Sequence, residues 1–172
     1  MAARAFFEMQ KKGGNRMQIR SEQEALYIAC EMESTAVQLY TRALQVMEQL
    51  GREKEALYTH IQDMLQDEQG HLRRFRALYR GLDATEEQQL TLAAVGEGVL
   101  FDGGLMGAAR QGLLKDVQSM LQLAAEAERT SIRKYTEFAQ VAETKAAKNA
   151  LLMIVMEEKS HLAELEATAQ SL

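Results

Sequence analysis

Adding 95 to each position of residues 21–44 lands on residues 116–139. The two segments match identically at several places, among them Leu26/Leu121, Ala29/Ala124, Glu33/Glu128 and Tyr40/Tyr135. A second pair of segments repeats at an offset of 90, through Glu68/Glu158, His71/His161 and Leu72/Leu162. Repetition by a factor of two describes two similar units joined by a connection, not a solenoid. Inside each unit apolar residues recur three and four positions apart, the period of a helix with one buried face.

The stripes predict four long helices. The first, over about 21–49, opens at the capping box Ser21-Glu22-Gln23-Glu24 and carries Leu26, Ala29, Cys30, Val37, Tyr40, Leu44 and Met47, with a turn at Gly51. The second, about 53–80, carries Ile61, Met64, Leu65, Leu72, Phe75 and Leu78. The third, about 117–142, follows Asp116 as N-cap and carries Leu121, Ala124, Ala125, Ile132, Tyr135 and Ala139. The fourth, about 145–170, carries Leu151, Ile154, Val155, Leu162 and Leu165. The chain contains no proline and is rich in residues that lose least on entering a helix. Residues 81–116 differ, holding seven of the eleven glycines. Thr85-Glu86-Glu87-Gln88 can cap a short helix there, but that glycine density opposes a long one. The expected fold is all-α: a four-helix bundle, residues 21–172, of two antiparallel hairpins joined by a crossover over 81–116. Residues 1–20 are expected to form an arm or short helix, with no signal-peptide pattern.

Each stripe is interrupted by groups that do not belong in an apolar core. Glu33 interrupts the first and Glu128 the third; Glu68 with His71 interrupts the second and Glu158 with His161 the fourth. A carboxylate facing a bundle core must be paired, protonated or metal-bound. Glu33 and Glu68 lie about 16 residues either side of the first turn. At 1.5 Å rise per residue both sit roughly 24 Å from it. The same count levels Glu128 with Glu158, so the four acids converge near mid-bundle. Residues three apart on a helix are neighbours, so Glu68/His71 and Glu158/His161 can each clamp a cation while Glu33 and Glu128 complete the sites. This is the general pattern of di-iron and di-manganese bundles. Oxygen and imidazole donors suit iron or manganese, with zinc as a further candidate. The expected metal ligands are therefore Glu33, Glu68, His71, Glu128, Glu158 and His161, for two metal ions per chain.

Other residues carry plainer expectations. Tyr40 and Tyr135 lie two turns beyond Glu33 and Glu128 on the same faces, as packed core or as donors to a ligand carboxylate. Glu31, Glu126 and Glu157 are expected to be solvated, His60 to lie at the stripe edge and Cys30 to fill core. Gly70 costs about 1 kcal/mol of helix propensity between two site residues, and close approach of a neighbouring backbone would explain it.

Taken together, Glu33 with Tyr40, Glu68-Gln69-Gly70-His71, Glu128 with Tyr135, and Glu158-Lys159-Ser160-His161 resemble the ferritin-like superfamily. Within it, they resemble the rubrerythrin-like branch specifically. The resemblance spans about 21–172. It implies a non-haem di-iron centre reacting with peroxide or dioxygen, and a homodimer is the expected assembly. Rubrerythrins append a rubredoxin-like domain with paired cysteines, whereas this sequence has one cysteine. A peroxidase of this kind would therefore need an external electron donor. They also often carry an extra glutamate on the third helix, where Glu126 is the nearest spare and lies out of phase. The alternatives are an iron binding or storage protein without substrate turnover, and a quinone hydroxylase-like relative. The latter would use Val99–Met106 as an exposed apolar surface.

Charge and composition exclude other classes. The net charge of −5 lacks the basic stripe of a nucleic-acid binder. One cysteine permits neither an intrachain disulfide nor a cysteine-based metal site, which fits a cytoplasmic location. No apolar run reaches the ~18–20 residues of a membrane span.

Overall fold

The computed structural model describes residues 19–101 and 104–171. The N-terminal arm or short helix expected over 1–20 lies outside them but for its last two residues. Six helices follow in order: α1 Glu22–Gln49, α2 Ala56–Leu78, α3 Glu86–Val99, α4 Gly104–Arg110, α5 Val117–Val141 and α6 Lys145–Ser171. The chain is an all-α, ferritin-like bundle of α1, α2, α5 and α6. Among the described residues no helix is long and apolar enough to cross a membrane.

The helix ends follow local chemistry. Ser21 accepts from the Glu24 amide at 3.2 Å, while the Glu24 carboxylate accepts from the Arg20 amide rather than closing the box on Ser21. Asp116 caps α5 through the Ser119 amide at 2.8 Å. Gly51 takes φ +67 in the turn after α1, a left-handed conformation open to glycine at little cost. The N-terminus of α6 is held from across the bundle. Buried Glu22 accepts from the amides of Glu143 and Thr144, at 2.8 and 2.6 Å, and from the Thr144 hydroxyl.

Contacts between distant residues fix the helix directions. Arg80 meets Gln23 and Tyr58 meets Glu48, so α1 and α2 are antiparallel. Tyr40 meets Glu128 and Tyr135 meets Glu33, so α1 and α5 are antiparallel as well. It follows that α2 and α5 run parallel, as a bundle-length crossover requires. The core is continuous across the four long helices, with Leu26, Met47, Ile61, Phe75, Tyr135, Leu151 and Ile154 each at most 0 % exposed.

The crossover departs from expectation. Where glycine density argues against a long helix, α3 runs 14 residues behind a complete Thr85/Gln88 capping box. The reason lies at Gly96. A Cβ there would sit 2.6 Å from the Glu31 Cβ and 3.9 Å from the Ile28 Cα. The glycine lets α3 lie close on α1; it is an interhelical contact point, not a break. Ile28, outside the predicted α1 stripe, is buried in consequence at 1 % exposure. Leu100 and Phe101 are buried too, so most of the apolar run expected to form an exposed surface over Val99–Met106 packs inward, with Met106 left exposed.

Candidate metal centre

The phase of each helix delivers its interrupting residues to one place. Glu33, Glu68, His71, Glu128, Glu158 and His161 are all between 1 and 6 % exposed, in the middle of the bundle. They form two overlapping groups. Glu33, Glu68, His71 and Glu158 present one donor atom each within 4.8 Å of one another, and so do Glu68, Glu128, Glu158 and His161. Glu68 and Glu158 belong to both. The sequence expectation gave each Glu/His clamp its own cation; in space the two clamps interlock through these shared carboxylates.

Both imidazoles point inward through Nδ1. His71 Nδ1 lies 3.3 Å from Glu158, 3.4 Å from Glu68 and 3.7 Å from Glu33. His161 Nδ1 lies 3.0 Å from Glu158, 3.4 Å from Glu68 and 3.9 Å from Glu128. The outer nitrogens meet carboxylates outside the cluster. His71 Nε2 is 2.9 Å from Glu157, and His161 Nε2 is 3.2 Å from Asp67. An ionised carboxylate only accepts, so Nε2 carries the proton and donates, which fixes each ring with Nδ1 facing the acids. Arg74 donates to the same Glu157 oxygen at 2.7 Å, extending that chain to the surface.

Glu157 therefore corrects the expectation of a solvated acid, because it is only half-exposed and bonded to the His71 ring. Asp67 was not singled out at all. Both were legible as an acid immediately before each Glu-x-x-His: Asp67-Glu68-Gln69-Gly70-His71 and Glu157-Glu158-Lys159-Ser160-His161. Each contacts the histidine of the other helix, which sequence spacing alone cannot show.

The tyrosines also cross over. Tyr40 on α1 donates to Glu128 Oε1 on α5 at 2.6 Å, and Tyr135 on α5 donates to Glu33 Oε1 on α1 at 2.7 Å. Glu126 is exposed and paired with Arg129, and His60 lies 3.4 Å from Glu164, away from the cluster. Burial pushes the partly covered Cys30 thiol up to about 11, leaving it unreactive at neutral pH. Gly70 has no neighbouring backbone against it. The nearest atom to an added Cβ is Arg73 Nη2 at 3.9 Å, so close approach does not explain the glycine.

Four carboxylates at this depth cannot all stay ionised without cations. Burial and the Glu68 charge push Glu33 well above the usual carboxylate range, and burial with Glu158 does the same to Glu128. Against the upward push of burial, the neighbouring His161 and His71 imidazoles, each with Nδ1 3.4 Å from the carboxylate, hold Glu68 below its ordinary value. Burial would lower both histidines. It is outweighed by Glu158, Glu33 and Glu68 at His71, which is raised, and by Glu158 and Glu68 at His161, which is pushed up to about 10. Without metal, bound protons supply the positive charge. Even so, Glu68 Oε1 and His71 Nδ1 are buried with no hydrogen-bond partner. Two orphaned donor atoms, both inward-facing, fit a set arranged around cations. The donor chemistry, carboxylate oxygen with neutral imidazole, could hold borderline or hard divalent metals.

A family model described as Rubrerythrin matches residues 24–169. No curated protein and no solved structure matches the chain.

Proposed function

The chain belongs to the rubrerythrin family, and from that premise we propose that it is a non-haem di-iron carboxylate oxidoreductase. In this reading it oxidises Fe(II) with peroxide or dioxygen. The observation that supports it most is the pair of interlocked buried groups sharing Glu68 and Glu158. Glu33 and His71 would complete one metal position, and Glu128 and His161 the other. Two divalent ions bring four positive charges, which offset four ionised carboxylates and free both imidazole Nδ1 atoms of protons. Manganese is the alternative occupant on donor chemistry alone.

Bound there, iron would supply one electron per ion to the oxidant, so that two Fe(II) and two protons convert one hydrogen peroxide to two waters. The protein's own part is positional. Glu157 and Asp67 hold the imidazoles from outside, and Tyr40 and Tyr135 each occupy one oxygen of Glu128 and Glu33 and so limit how those carboxylates turn. The surrounding apolar side chains exclude bulk water, which strengthens every charge interaction inside. The quinone hydroxylase alternative loses its surface, since Leu100 and Phe101 are buried.

Protein purified without chelator should contain close to two transition-metal ions per chain. Anaerobically loaded Fe(II) should oxidise with one equivalent of peroxide. An inert reconstituted protein would overturn the oxidoreductase reading. Uptake of far more than two irons per chain would favour storage instead. A peroxidase cycle needs an external electron donor to return the iron to Fe(II).

A further inference from the structure

The two helices that carry the Glu-x-x-His pairs divide their charge at the level of the cluster. Residues 69–80 on α2 hold Arg73, Arg74, Arg76 and Arg80, residues 145–156 on α6 hold Lys145 and Lys148, and neither segment contains an acid. Residues 53–68 and 157–171 hold nine acids, two of them in the cluster, against Lys54 and Lys159 alone. Contacts of His71 with Glu157 and of His161 with Asp67 make α2 and α6 antiparallel neighbours, so the two acid-free segments lie side by side at one end of the bundle. A chain of net charge −5 thus carries a basic face on these two helices.

The cations of this face do not hold the fold together. All six are exposed, and only Arg74 has a carboxylate partner among the described residues, through Glu157. Elsewhere Arg52, Arg129 and Lys134 are each paired with an acid of their own helix or turn. Large apolar side chains share the face, with Leu152 42 % exposed, Met153 58 % and Met156 64 %. By helical phase Arg73 and Arg80 on α2, and Lys145, Met153 and Met156 on α6, share the outward side, with Arg76 and Lys148 at its two edges. Gln69 and Asn149 are the exposed uncharged polar side chains in the two segments.

We propose that this end of the bundle docks on an anionic lipid bilayer. Arg73, Arg74, Arg80 and Lys145 meet headgroup phosphates, while Leu152, Met153 and Met156 enter the boundary between headgroups and acyl chains. Cations without acids around protruding apolar side chains are what interfacial helices present to a membrane. Each Lys or Arg near an anionic leaflet adds to the attraction. A single protein partner would be held in register by hydrogen-bonding groups, of which this face has few. Flexible methionines instead adapt to a fluid surface. The net negative charge does not prevent docking, because it sits at the other end. Glu55 lies roughly 37 Å from Arg80 along α2, several times the Debye length of about 10 Å at 0.1 M salt. With the basic end down, the acidic halves stand clear of the leaflet. No described helix crosses the bilayer, so the contact is peripheral and reversible.

The proposal needs no particular metal in the cluster and is tested on the full chain by co-sedimentation with vesicles. Phosphatidylcholine vesicles containing about one-third phosphatidylglycerol should bind the protein at about 0.1 M salt and release it at about 0.5 M, and pure phosphatidylcholine should not bind it. Arg73→Gln with Lys145→Gln should lower the partition coefficient by about thirtyfold. Lys54→Gln with Lys115→Gln, the same loss of charge at the far end, should leave it unchanged. The chain contains no tryptophan, so Met153→Trp and Leu50→Trp report depth and orientation. On anionic vesicles the fluorescence at 153 should shift to the blue and be quenched by brominated acyl chains, and that at 50 should do neither. A parent that ignores anionic vesicles overturns the proposal, as do equal losses from the two double variants or an unmoved signal at 153. If vesicles fail while immobilised polyglutamate retains the parent and not the Arg73/Lys145 variant, the face belongs to an acidic protein instead.

Discussion

The hydroxyl of Tyr135 donates to Glu33 Oε1 at 2.7 Å, reaching from the third long helix to a carboxylate on the first. Tyr40 makes the reciprocal bond to Glu128 at 2.6 Å. Removing either hydroxyl leaves a buried carboxylate short of a donor and freer to rotate. Tyr135→Phe should weaken the metal position served by Glu33 and His71, and Tyr40→Phe the one served by Glu128 and His161, each by about tenfold. Anaerobic titration with Co(II), whose ligand-field bands report each position, would show two sites that lose affinity one at a time. Equal weakening of both sites by either change would argue against the crossed assignment.

Outside the cluster, Glu157 and Asp67 should matter although neither touches the proposed metal positions. Glu157→Gln replaces an acceptor-only group on the His71 ring by an amide, and metal affinity should fall by about 10- to 100-fold. Asp67→Asn should act in the same direction but less, since Asp67 is more exposed and its contact is longer. Dissociation constants from competition with a metal indicator would rank the two.

Chelation provides the broadest check on the cluster as a cation site. Removing metal should lower the thermal midpoint, because binding free energy of a buried site is part of folding free energy. In Glu68→Ala or His161→Ala protein the midpoint should be indifferent to chelator. Calorimetric scans with and without chelator decide the matter, and a parent protein equally indifferent would count heavily against a metal site.

The pH dependence has a definite sign. Glu33 and Glu128 have folded values above the ordinary carboxylate value, and His161 is raised to about 10. A raised folded value means the native state holds the proton more tightly, so that stability is fully present below the unfolded value and lost as pH rises toward the folded one. Glu68 is depressed and works in the opposite sense only below the ordinary carboxylate range. From about pH 5 upward the metal-free bundle should therefore lose stability, while metal affinity rises as protons stop competing. The gap between the midpoints of metal-loaded and metal-free protein should widen steadily from about pH 5.5 to 8.5 in a series of thermal scans. A constant gap would show that protons and metal do not compete.

Two helical glycines should respond in opposite directions to alanine. Gly70 has open space around its missing Cβ, so Gly70→Ala should stabilise by up to about 1 kcal/mol through helix propensity. Gly96→Ala places a Cβ 2.6 Å from Glu31, and the crossover helix must move or strain, costing on the order of 1–3 kcal/mol. Urea denaturation of both variants with metal removed would isolate these effects from the site.

The sequence alone determined the four long helices, the two-hairpin bundle and which six side chains face its interior. Those properties follow from periodicity within single segments, because the phase of a helix is set by residues three and four apart. The same logic limits it. That Glu68 and Glu158 each serve two groups, that the tyrosines reach across to Glu128 and Glu33, and that Asp67 and Glu157 bond to the histidines of opposite helices depend on how four helices are rotated and aligned. α3 makes the same point from the other side, since the glycine content that argued against a long helix reflects a contact with Glu31, 65 residues away in sequence. Helical phase assigns a residue to a face; only the pairing of faces in three dimensions decides which atom meets which.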